Sequence, residues 1–376
     1  MKIIFTGGGT GGHFYPIIAI SQEIRNIVKE QKLLEPKLYF LAPHPYSPGL
    51  LYDNGIEYKR VYAGKVRTYA SPLNFFDKFK TFAGILKAMW TVFWIFPDVI
   101  VSKGGFGSFP VTVAARILRI PLIIHESDSA PGRANAWAGK FAQKIAVSYA
   151  DAGQYFTHRD RVAWTGNPIR EEIKHKAVEG GYEFLELESK RKTILVLGGS
   201  LGAKRINDAI LDVLPDLLET YQIVHQTGKQ HFDEVTKTAA FLVPEQEKQA
   251  RYKAFPYLND VAMRVSAGIA DLIITRAGST LFEVANWGVP AIVIPITDSN
   301  GDHQRKNAFA YARAGAGTVI EENNLTPTVL KQEITRILED PSVVEAMQQG
   351  AGTFAKPEAA RTIAEAVMST ILRHEK

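Results

Sequence analysis

A glycine-rich run near the amino terminus contains the first residues whose types and spacing could do chemistry. Gly7-Gly8-Gly9-Thr10-Gly11-Gly12 lies between a strand-like and a helix-like segment, where backbone N–H groups and the positive end of a helix converge. The run lacks the Gly-Lys-Ser/Thr of a nucleotide-hydrolysing loop, and no acidic residue ends a second strand near Phe40, as dinucleotide binding would require. It therefore predicts a site where a phosphate or a sugar approaches the backbone.

His13 follows these glycines at the start of the predicted helix. An imidazole there could act as general base toward a hydroxyl group, because the amino end of a helix favours its neutral form. A histidine that only caps the turn explains the same residue. The residue alone leaves both roles open.

Similar turns recur in the second half of the chain. Gly198-Gly199-Ser200-Leu201-Gly202-Ala203 offers N–H groups and the Ser200 hydroxyl to a phosphate. The segment 275–283 predicts another strand-to-helix turn, whose N–H and hydroxyl groups could bind a diphosphate while Glu283 accepts hydrogen bonds from two ribose hydroxyls. Asp302-His303-Gln304 offers imidazole and amide groups suited to sugar hydroxyls.

Short apolar, β-branched runs alternate with helical patterns along the whole chain, which predicts an α/β fold with parallel sheets. These sheets and helices must position the motifs. Each half opens with a strand, a glycine turn and a helix. The predicted strands are 2–6, 38–42, 98–102, 121–125, 144–148, 161–165, 193–197, 222–226, 271–275, 291–296 and 317–320.

The 376 residues exceed what one hydrophobic core usually holds, about 250–300 residues, so two domains are expected. A charged stretch with Gly180-Gly181 follows Gly166-Asn167-Pro168 and predicts a linker. The predicted organisation is a first domain at 1–166, a linker at 167–191, a second domain at 192–356 and a terminal helix at 357–376, for which packing back on the first domain is one of several open arrangements.

Composition narrows the class of protein. The chain has no cysteine, which excludes disulfides and thiolate catalysis, and its amino terminus lacks the pattern of a secretion signal. Residues 1–168 hold 20 Lys/Arg against 11 Asp/Glu, a net charge of +9, whereas the remainder holds 24 against 28, a net −4. A basic half predicts contact with an anionic surface, either a membrane or a nucleic acid.

The aromatic segment 75–96 indicates that the anionic surface is a membrane rather than a nucleic acid. Lys78, Lys80 and Lys87 interrupt it, so it falls short of the roughly 20 apolar residues that span a bilayer. Its wide apolar face with lysines beside it is typical of a helix lying in a membrane interface. A core helix with a basic edge remains the alternative. Few aromatic residues accompany the basic ones elsewhere, so we expect no binding of nucleic acid.

The order of the motifs resembles the UDP-N-acetylglucosamine:N-acetylmuramyl-(pentapeptide) pyrophosphoryl-undecaprenol N-acetylglucosamine transferases, the MurG family, over nearly the whole chain. The motifs are Gly8-Gly-Thr-Gly-Gly-His13, Ser102-Lys-Gly-Gly-Phe106, His125-Glu126, Pro131-Gly132 with Asn135, Gly166-Asn-Pro-Ile-Arg170, Gly198-Gly-Ser-Leu-Gly-Ala203, Arg276-Ala-Gly278 with Glu283, and Asp302-His-Gln304 with Asn307. The resemblance implies a GT-B fold, in which two Rossmann-like domains face a central cleft.

The resemblance also implies roles for individual residues. His13 or Glu126 would be the catalytic base. The acceptor side would be lined by Thr10, Gly11, Gly12, His13, Glu126, Asp128 and Asn135. The donor would be contacted by Arg170, Ser200, the backbone of Leu258, Gly278, Ser279, Thr280, Glu283, His303 and Gln304. This chain departs from the family pattern at Leu201, at Ser127-Asp128 and in a shorter turn after Arg276, so assignments within 279–282 are open by one residue.

The implied substrates are UDP-N-acetylglucosamine and a lipid-linked muramyl-pentapeptide, at the cytoplasmic face of the cell membrane. We expect an inverting single displacement without a cofactor or a metal ion, since no Asp-x-Asp motif occurs. Another GT-B enzyme acting on a lipid and a UDP-N-acetylglucosamine 2-epimerase are the alternatives among enzymes. A non-catalytic binding protein is the alternative outside them.

Overall fold

The computed structural model describes residues 1–8, 10–64, 73–199, 202–297 and 299–374. The chain forms two units: Met1–Arg170 with Lys356–Lys376, and Glu171–Ala355. Residues 171–191, predicted as a linker, contain two short helices that belong to the second unit. The terminal helix belongs to the first unit.

Thirteen strands form two sheets within the described residues. They are β1 Lys2–Thr6, β2 Lys37–Ala42, β3 Ile56–Arg60, β4 Val99–Ser102, β5 Leu122–Glu126, β6 Lys144–Val147, β7 Val162–Trp164, β8 Thr193–Leu197, β9 Gln222–Gln226, β10 Tyr252–Phe255, β11 Ala270–Thr275, β12 Ala291–Val293 and β13 Gly317–Val319. The first sheet has the order β3-β2-β1-β4-β5-β6-β7 and the second β10-β9-β8-β11-β12-β13. Every pairing is parallel.

Helices cover both faces of each sheet, as parallel sheets require. They are α1 Gly11–Glu30, α2 Pro48–Asp53, α3 Leu73–Ile95, α4 Phe109–Ile117, α5 Arg133–Ala138, α6 Glu171–Lys174, α7 Gly181–Leu185, α8 Lys204–Thr220, α9 Phe232–Leu242, α10 Gln246–Gln249, α11 Asp260–Ile269, α12 Thr280–Trp287, α13 His303–Arg313, α14 Pro327–Glu339, α15 Pro341–Phe354 and α16 Ala359–His374. Helices α1 and α16 contribute to the core on one face of the first sheet, and α3 and α4 to the core on the other.

The eleven predicted strands are all present, although the predicted strand 291–296 ends at Val293. Strands β3 and β10 were not predicted. Each lies at the edge of its sheet, and β3 alternates buried Ile56 with exposed Glu57 and Arg60. Most residues of β3 and β10 are only partly buried or exposed, so these two strands lack the continuous apolar run that identified the central strands.

Helix α3 carries an apolar stripe on its outer surface. The side chains of Trp90 and Trp94 are each 66% exposed, whereas Ala88 and Val92 on the opposite side are buried. The other exposed large apolar side chains of the stripe are Phe79, Phe82, Leu86 and Phe93. Lys78 and Lys80 are exposed beside it, and Lys65 and Arg67 lie outside the described residues. No helix in the described part of the chain combines the length and apolar character needed to span a bilayer.

Candidate active site

The predicted motifs lie where the order of strands reverses in each sheet. In the first sheet the reversal separates β1 from β4, and in the second it separates β8 from β11. The carboxyl ends of parallel strands open a crevice at such a point, and ligands of doubly wound folds bind there. Each unit therefore has its own candidate site, made from the loops that follow these strands.

In the first unit, the loop after β1 packs directly against the loop after β4. A Cβ atom placed on Gly8 would lie 3.0 Å from the Cα of Gly105. Gly105 has a φ of 79°, and a Cβ there would lie 2.9 Å from the Cα of Gly8 and 3.6 Å from Nε2 of His13. Glycine is required at both positions because the two backbones touch beside the histidine ring.

The His13 imidazole lies in the first turn of α1, close to this contact. Thr10 is the N-cap of the helix, and its Oγ1 lies 2.9 Å from Nδ1 of His13. Gly11 and Gly12 form the start of the helix and are half-buried. Thr10 and His13 also line a small pocket with His44 and Tyr46. A neutral imidazole that donates from Nδ1 to Thr10 leaves Nε2 as an acceptor, the arrangement that a general base needs.

Glu126 ends β5 and is only 5% exposed. Its Oε1 accepts from the N–H of Asp128 at 3.0 Å, and its Oε2 accepts from the N–H of Gly132 at 3.1 Å and from Nδ2 of Asn135 at 3.0 Å. Burial, together with the nearby Asp128 carboxylate, raises the pKa of Glu126 above its ordinary value. Its carboxylate thus organises residues 126–135, which we call the acceptor loop because the sequence predicts that Glu126, Asp128 and Asn135 line the acceptor side.

Lys103, directly after β4, belongs to the motif Ser102-Lys-Gly-Gly-Phe106, but the sequence interpretation gave it no role of its own. It is 1% exposed, and its ammonium contacts Nδ1 of His125 and lies 2.5 Å from Oγ of Ser127. Burial and the adjacent Lys103 hold the pKa of His125 well below its ordinary value. The neutral ring donates from Nε2 to the carbonyl oxygen of Gly166 at 3.0 Å. The position of Lys103 between an apolar strand and a Gly-Gly pair was the available signal.

Arg170 is the last residue of the first unit and is buried there. Its guanidinium lies 4.2 Å from the centre of the Tyr15 ring on α1, a cation–π contact. The structure thus buries Arg170 against Tyr15, which lies one helical turn after Gly11. Its contact with a donor remains a prediction.

In the second unit, Gln226 connects the glycine turn with the loop after β10. Its Nε2 donates to the carbonyl oxygen of Gly199 at 3.1 Å, and its Oε1 accepts from the N–H of Leu258 at 3.0 Å. Gly202 has a φ of 78°, and a Cβ there would lie 2.2 Å from the carbonyl oxygen of Thr227. Ser200 and Leu201 lie outside the described residues. Gln226 was not predicted as a site residue.

The turn after β11 brings Gly278, Ser279, Thr280 and Glu283 to the start of α12, and all four are half-buried. A Cβ on Gly278 would meet nothing within 4 Å, so the backbone there is open to a ligand. Arg276 anchors the turn, because its guanidinium donates to Glu322 at 2.6 Å and to the carbonyl oxygen of Ile294 at 3.1 Å. Asn307 donates to the carbonyl oxygen of Ala277 at 3.1 Å.

His303 and Gln304 begin α13 and are half-buried. The preceding residue, Asp302, has a left-handed φ of 58°. Oε1 of Gln304 accepts from the N–H of Ile296 at 3.1 Å, which holds the loop after β12 against this helix. Thr275, Ile294 and these helix starts all lie at the carboxyl edge of the second sheet, so the predicted donor residues of the starts of α12 and α13 lie at one edge.

The two sites differ in chemical character. The first offers an imidazole beside closely packed glycines and a buried Lys-His-Glu cluster. The second offers the backbone N–H groups at the start of α12, beside the open backbone at Gly278, which suit the oxygens of a diphosphate. Among the described residues, no group of three His, Asp or Glu side chains could hold a metal ion.

Comparison with known protein families matches each half of the chain separately. The glycosyltransferase family 28 N-terminal domain matches residues 3–147, and the glycosyltransferase family 28 C-terminal domain matches residues 193–363. These ranges contain the two glycine turns, one in each.

Individual relatives cover the chain from end to end. The UDP-N-acetylglucosamine–N-acetylmuramyl-(pentapeptide) pyrophosphoryl-undecaprenol N-acetylglucosamine transferase of Halothermothrix orenii is 34% identical over 375 residues, which are 98% of this chain and 99% of the relative. The crystal structure of Acinetobacter baumannii MurG is 26% identical, with a TM-score of 0.73 over 98% of this chain and 99% of that one. The UDP-GlcNAc 2-epimerase of Neisseria meningitidis, with UDP-GlcNAc bound, is 16% identical, with a TM-score of 0.69 over 98% and 100% of the two chains. That second likeness is one of fold.

Proposed function

The chain belongs to the UDP-N-acetylglucosamine–N-acetylmuramyl-(pentapeptide) pyrophosphoryl-undecaprenol N-acetylglucosamine transferases of glycosyltransferase family 28, and on that premise we propose its reaction and the roles of its residues. It is a hexosyltransferase of peptidoglycan synthesis. It transfers N-acetylglucosamine from UDP-N-acetylglucosamine to the 4-hydroxyl of undecaprenyl-diphospho-N-acetylmuramyl-pentapeptide. The transfer proceeds with inversion in a single displacement.

His13 is the general base in this proposal. The observation that carries the assignment is the imidazole itself, half-buried at the reversal point of the first sheet and hydrogen-bonded to Thr10 at 2.9 Å. Of the two candidate bases, Glu126 already accepts three hydrogen bonds from its own loop and is almost fully buried. Nε2 of His13 would accept the proton of the acceptor hydroxyl as the new glycosidic bond forms.

The second unit binds the donor nucleotide in this proposal. The departing UDP gains negative charge on its diphosphate, and N–H groups of the glycine turn and of the start of α12 would stabilise that charge. Glu283, one turn into α12, accepts hydrogen bonds from the ribose hydroxyls. Gln304 and His303 contact the sugar. Because these groups carry the stabilisation, we expect activity to persist after treatment with a chelator.

Helix α3 binds an anionic membrane surface in this proposal, at the cytoplasmic face of the cell membrane. Its exposed stripe from Phe79 to Trp94 offers an apolar face, and the lysines beside it attract anionic headgroups. The lipid-linked acceptor is anchored in the same membrane. Peripheral binding of the enzyme would therefore bring the first unit to its acceptor.

Transfer of a radiolabelled sugar tests the proposed reaction. The purified chain is incubated with labelled UDP-N-acetylglucosamine and with a short-chain lipid-linked muramyl-pentapeptide, with diacylglycerol, or without an acceptor. We expect labelled lipid only with the first acceptor. Transfer to diacylglycerol alone would identify a different lipid glycosyltransferase, and sugar epimerisation without an acceptor would identify an epimerase.

A further inference from the structure

The ammonium of Lys103 is a charge buried inside the first unit. The side chain is 1% exposed and lies directly after β4, where the strand order reverses. Burying an isolated ammonium costs several kcal/mol unless partners compensate it. A lysine at such a position therefore needs a specific set of neighbours.

Those neighbours come from two further segments of the first unit. Nδ1 of His125, at the end of β5, accepts from the ammonium, and Oγ of Ser127 lies 2.5 Å away. Oδ1 of Asn167 lies 3.5 Å from the ammonium and 3.4 Å from the Ser127 hydroxyl. Lys103 thus connects the end of β4, the start of the acceptor loop and the segment that leads to Arg170.

The compensating negative charge comes from the acceptor loop. Glu126 and Asp128 both interact electrostatically with Lys103. The far end of the loop also packs against the residue after Lys103, because a Cβ on Gly104 would lie 2.6 Å from Nδ2 of Asn135.

We propose that Lys103 is a positioning residue for the acceptor, whose buried ammonium holds His125, Ser127 and Asn167 together and thereby fixes the start of the loop 126–135 beside His13. This inference rests on the proposed function, because it assigns the loop to the acceptor side of the reaction. Its ammonium acts on the loop through its contacts with His125, Ser127 and Asn167.

The test replaces Lys103 with methionine, which keeps nearly the same length and removes the charge. We expect kcat/KM for the lipid-linked acceptor to fall about 100-fold, because small displacements of positioning groups cost that much. The affinity for UDP, measured by calorimetry, stays within about twofold, since the donor site belongs to the other unit. The exposed Lys140 provides a matched control, and Lys140→Met leaves both quantities unchanged.

Two further measurements separate charge from packing. Hydrogen exchange of the whole chain reports the amides of Asp128 and Gly132, which we expect to exchange faster in Lys103→Met. Lys103→Ala leaves a cavity, and butylammonium is expected to restore its activity, whereas butanol is not. Unchanged exchange and unchanged kcat/KM in Lys103→Met, or equal rescue by both compounds, would overturn the proposal.

The exchange experiment also separates this inference from the proposed function. If the wild-type chain fails to glycosylate the lipid-linked acceptor, the proposed function is wrong. Exchange of the two amides in Lys103→Met would still decide whether the ammonium fixes the loop.

Discussion

Nε2 of Gln226 donates to the carbonyl oxygen of Gly199 at 3.1 Å, so a strand-end side chain holds the second glycine turn. The same amide accepts from the N–H of Leu258 at 3.0 Å. Two of the loops proposed to contact the donor therefore share one buried side chain. Neither loop can shift without breaking a hydrogen bond to Gln226.

Substitution Gln226→Leu removes both hydrogen bonds at similar volume. Since each is worth about 1 kcal/mol, we expect KM for UDP-N-acetylglucosamine to rise about tenfold or more, with KM for the acceptor unchanged. Steady-state kinetics with each substrate varied in turn measures this. Gln249→Leu is the control, because Gln249 also bonds a backbone carbonyl, that of Val243, but is exposed. An unchanged donor KM in Gln226→Leu would contradict the assignment.

The ion pair between Arg276 and Glu322 predicts that Glu322 contributes more to the stability of the fold than its neighbour Glu321. Burial raises the pKa of Glu322, but hydrogen bonds from Arg276 and Thr297 outweigh burial and hold that pKa below its ordinary value. Removing one partner of a well-buried ion pair typically costs about 3–5 kcal/mol, and this pair, 13% and 9% exposed, lies near the lower end. We expect Glu322→Ala to lower the free energy of unfolding by about 3 kcal/mol.

The neighbouring pair between Glu321 and Arg305 is the control. Its side chains are 35% and 54% exposed, so Glu321→Ala should cost less than about 1 kcal/mol. Denaturant unfolding of both variants measures the difference. Equal destabilisation by the two substitutions would contradict the prediction that the buried pair contributes more to stability than the exposed pair.

His225 predicts loss of stability in acid. Burial lowers its pKa to about 3, and Nδ1 lies 2.8 Å from the Tyr252 hydroxyl while Nε2 lies 3.0 Å from Oδ1 of Asn207. Below about pH 6.5 the unfolded chain binds a proton that the folded chain excludes. Stability should therefore fall as pH drops from about 6.5 toward 3, at about 1.4 kcal/mol per pH unit for this residue.

Unfolding of His225→Leu at a series of pH values isolates that contribution. The variant is expected to lose stability less steeply than the wild type over the same interval, whatever its stability at neutral pH. Identical slopes for the two proteins would mean that His225 takes up its proton in the folded state.

The aromatic stripe of α3 predicts the strength of membrane binding. Replacing Trp90 and Trp94 with serine removes two large exposed rings, and we expect partitioning onto anionic vesicles to fall by about tenfold or more. Phe241→Ser is the control, because Phe241 is exposed on α9 in the other unit. Sedimentation with vesicles measures both. Equal binding of the double variant and the wild type would remove α3 from the membrane contact.

Most of the fold followed from patterns in the sequence. Central strands such as β4 and β8 are continuous apolar runs, so they were predicted with bounds close to those observed. The edge strands β3 and β10 were missed because their residues alternate between core and solvent or are only half-buried. The second unit begins at Glu171 because residues 171–191 pack with it, and the local composition of this charged segment does not reveal that packing.

The candidate site was predictable where glycine and histidine stand in recognisable turns. Gly8 and His13 were found in this way, and the structure shows why glycine is needed there. Lys103 and Gln226 were missed because their importance lies in burial and in partners far along the chain, such as Asn167 and Leu258. The position of Lys103 between an apolar strand and a Gly-Gly pair indicates a turn, but neither that pattern nor the residues around Gln226 show that the side chain becomes buried.

The central claim is that His13 removes the proton of the acceptor hydroxyl, and kcat of the His13→Asn variant tests it most directly. With UDP affinity and acceptor KM as controls for binding, the account predicts a fall in kcat of about 100- to 10,000-fold, the range of general-base catalysis, with both binding quantities nearly unchanged. A variant that turns over the lipid-linked acceptor at the wild-type kcat would contradict the claim.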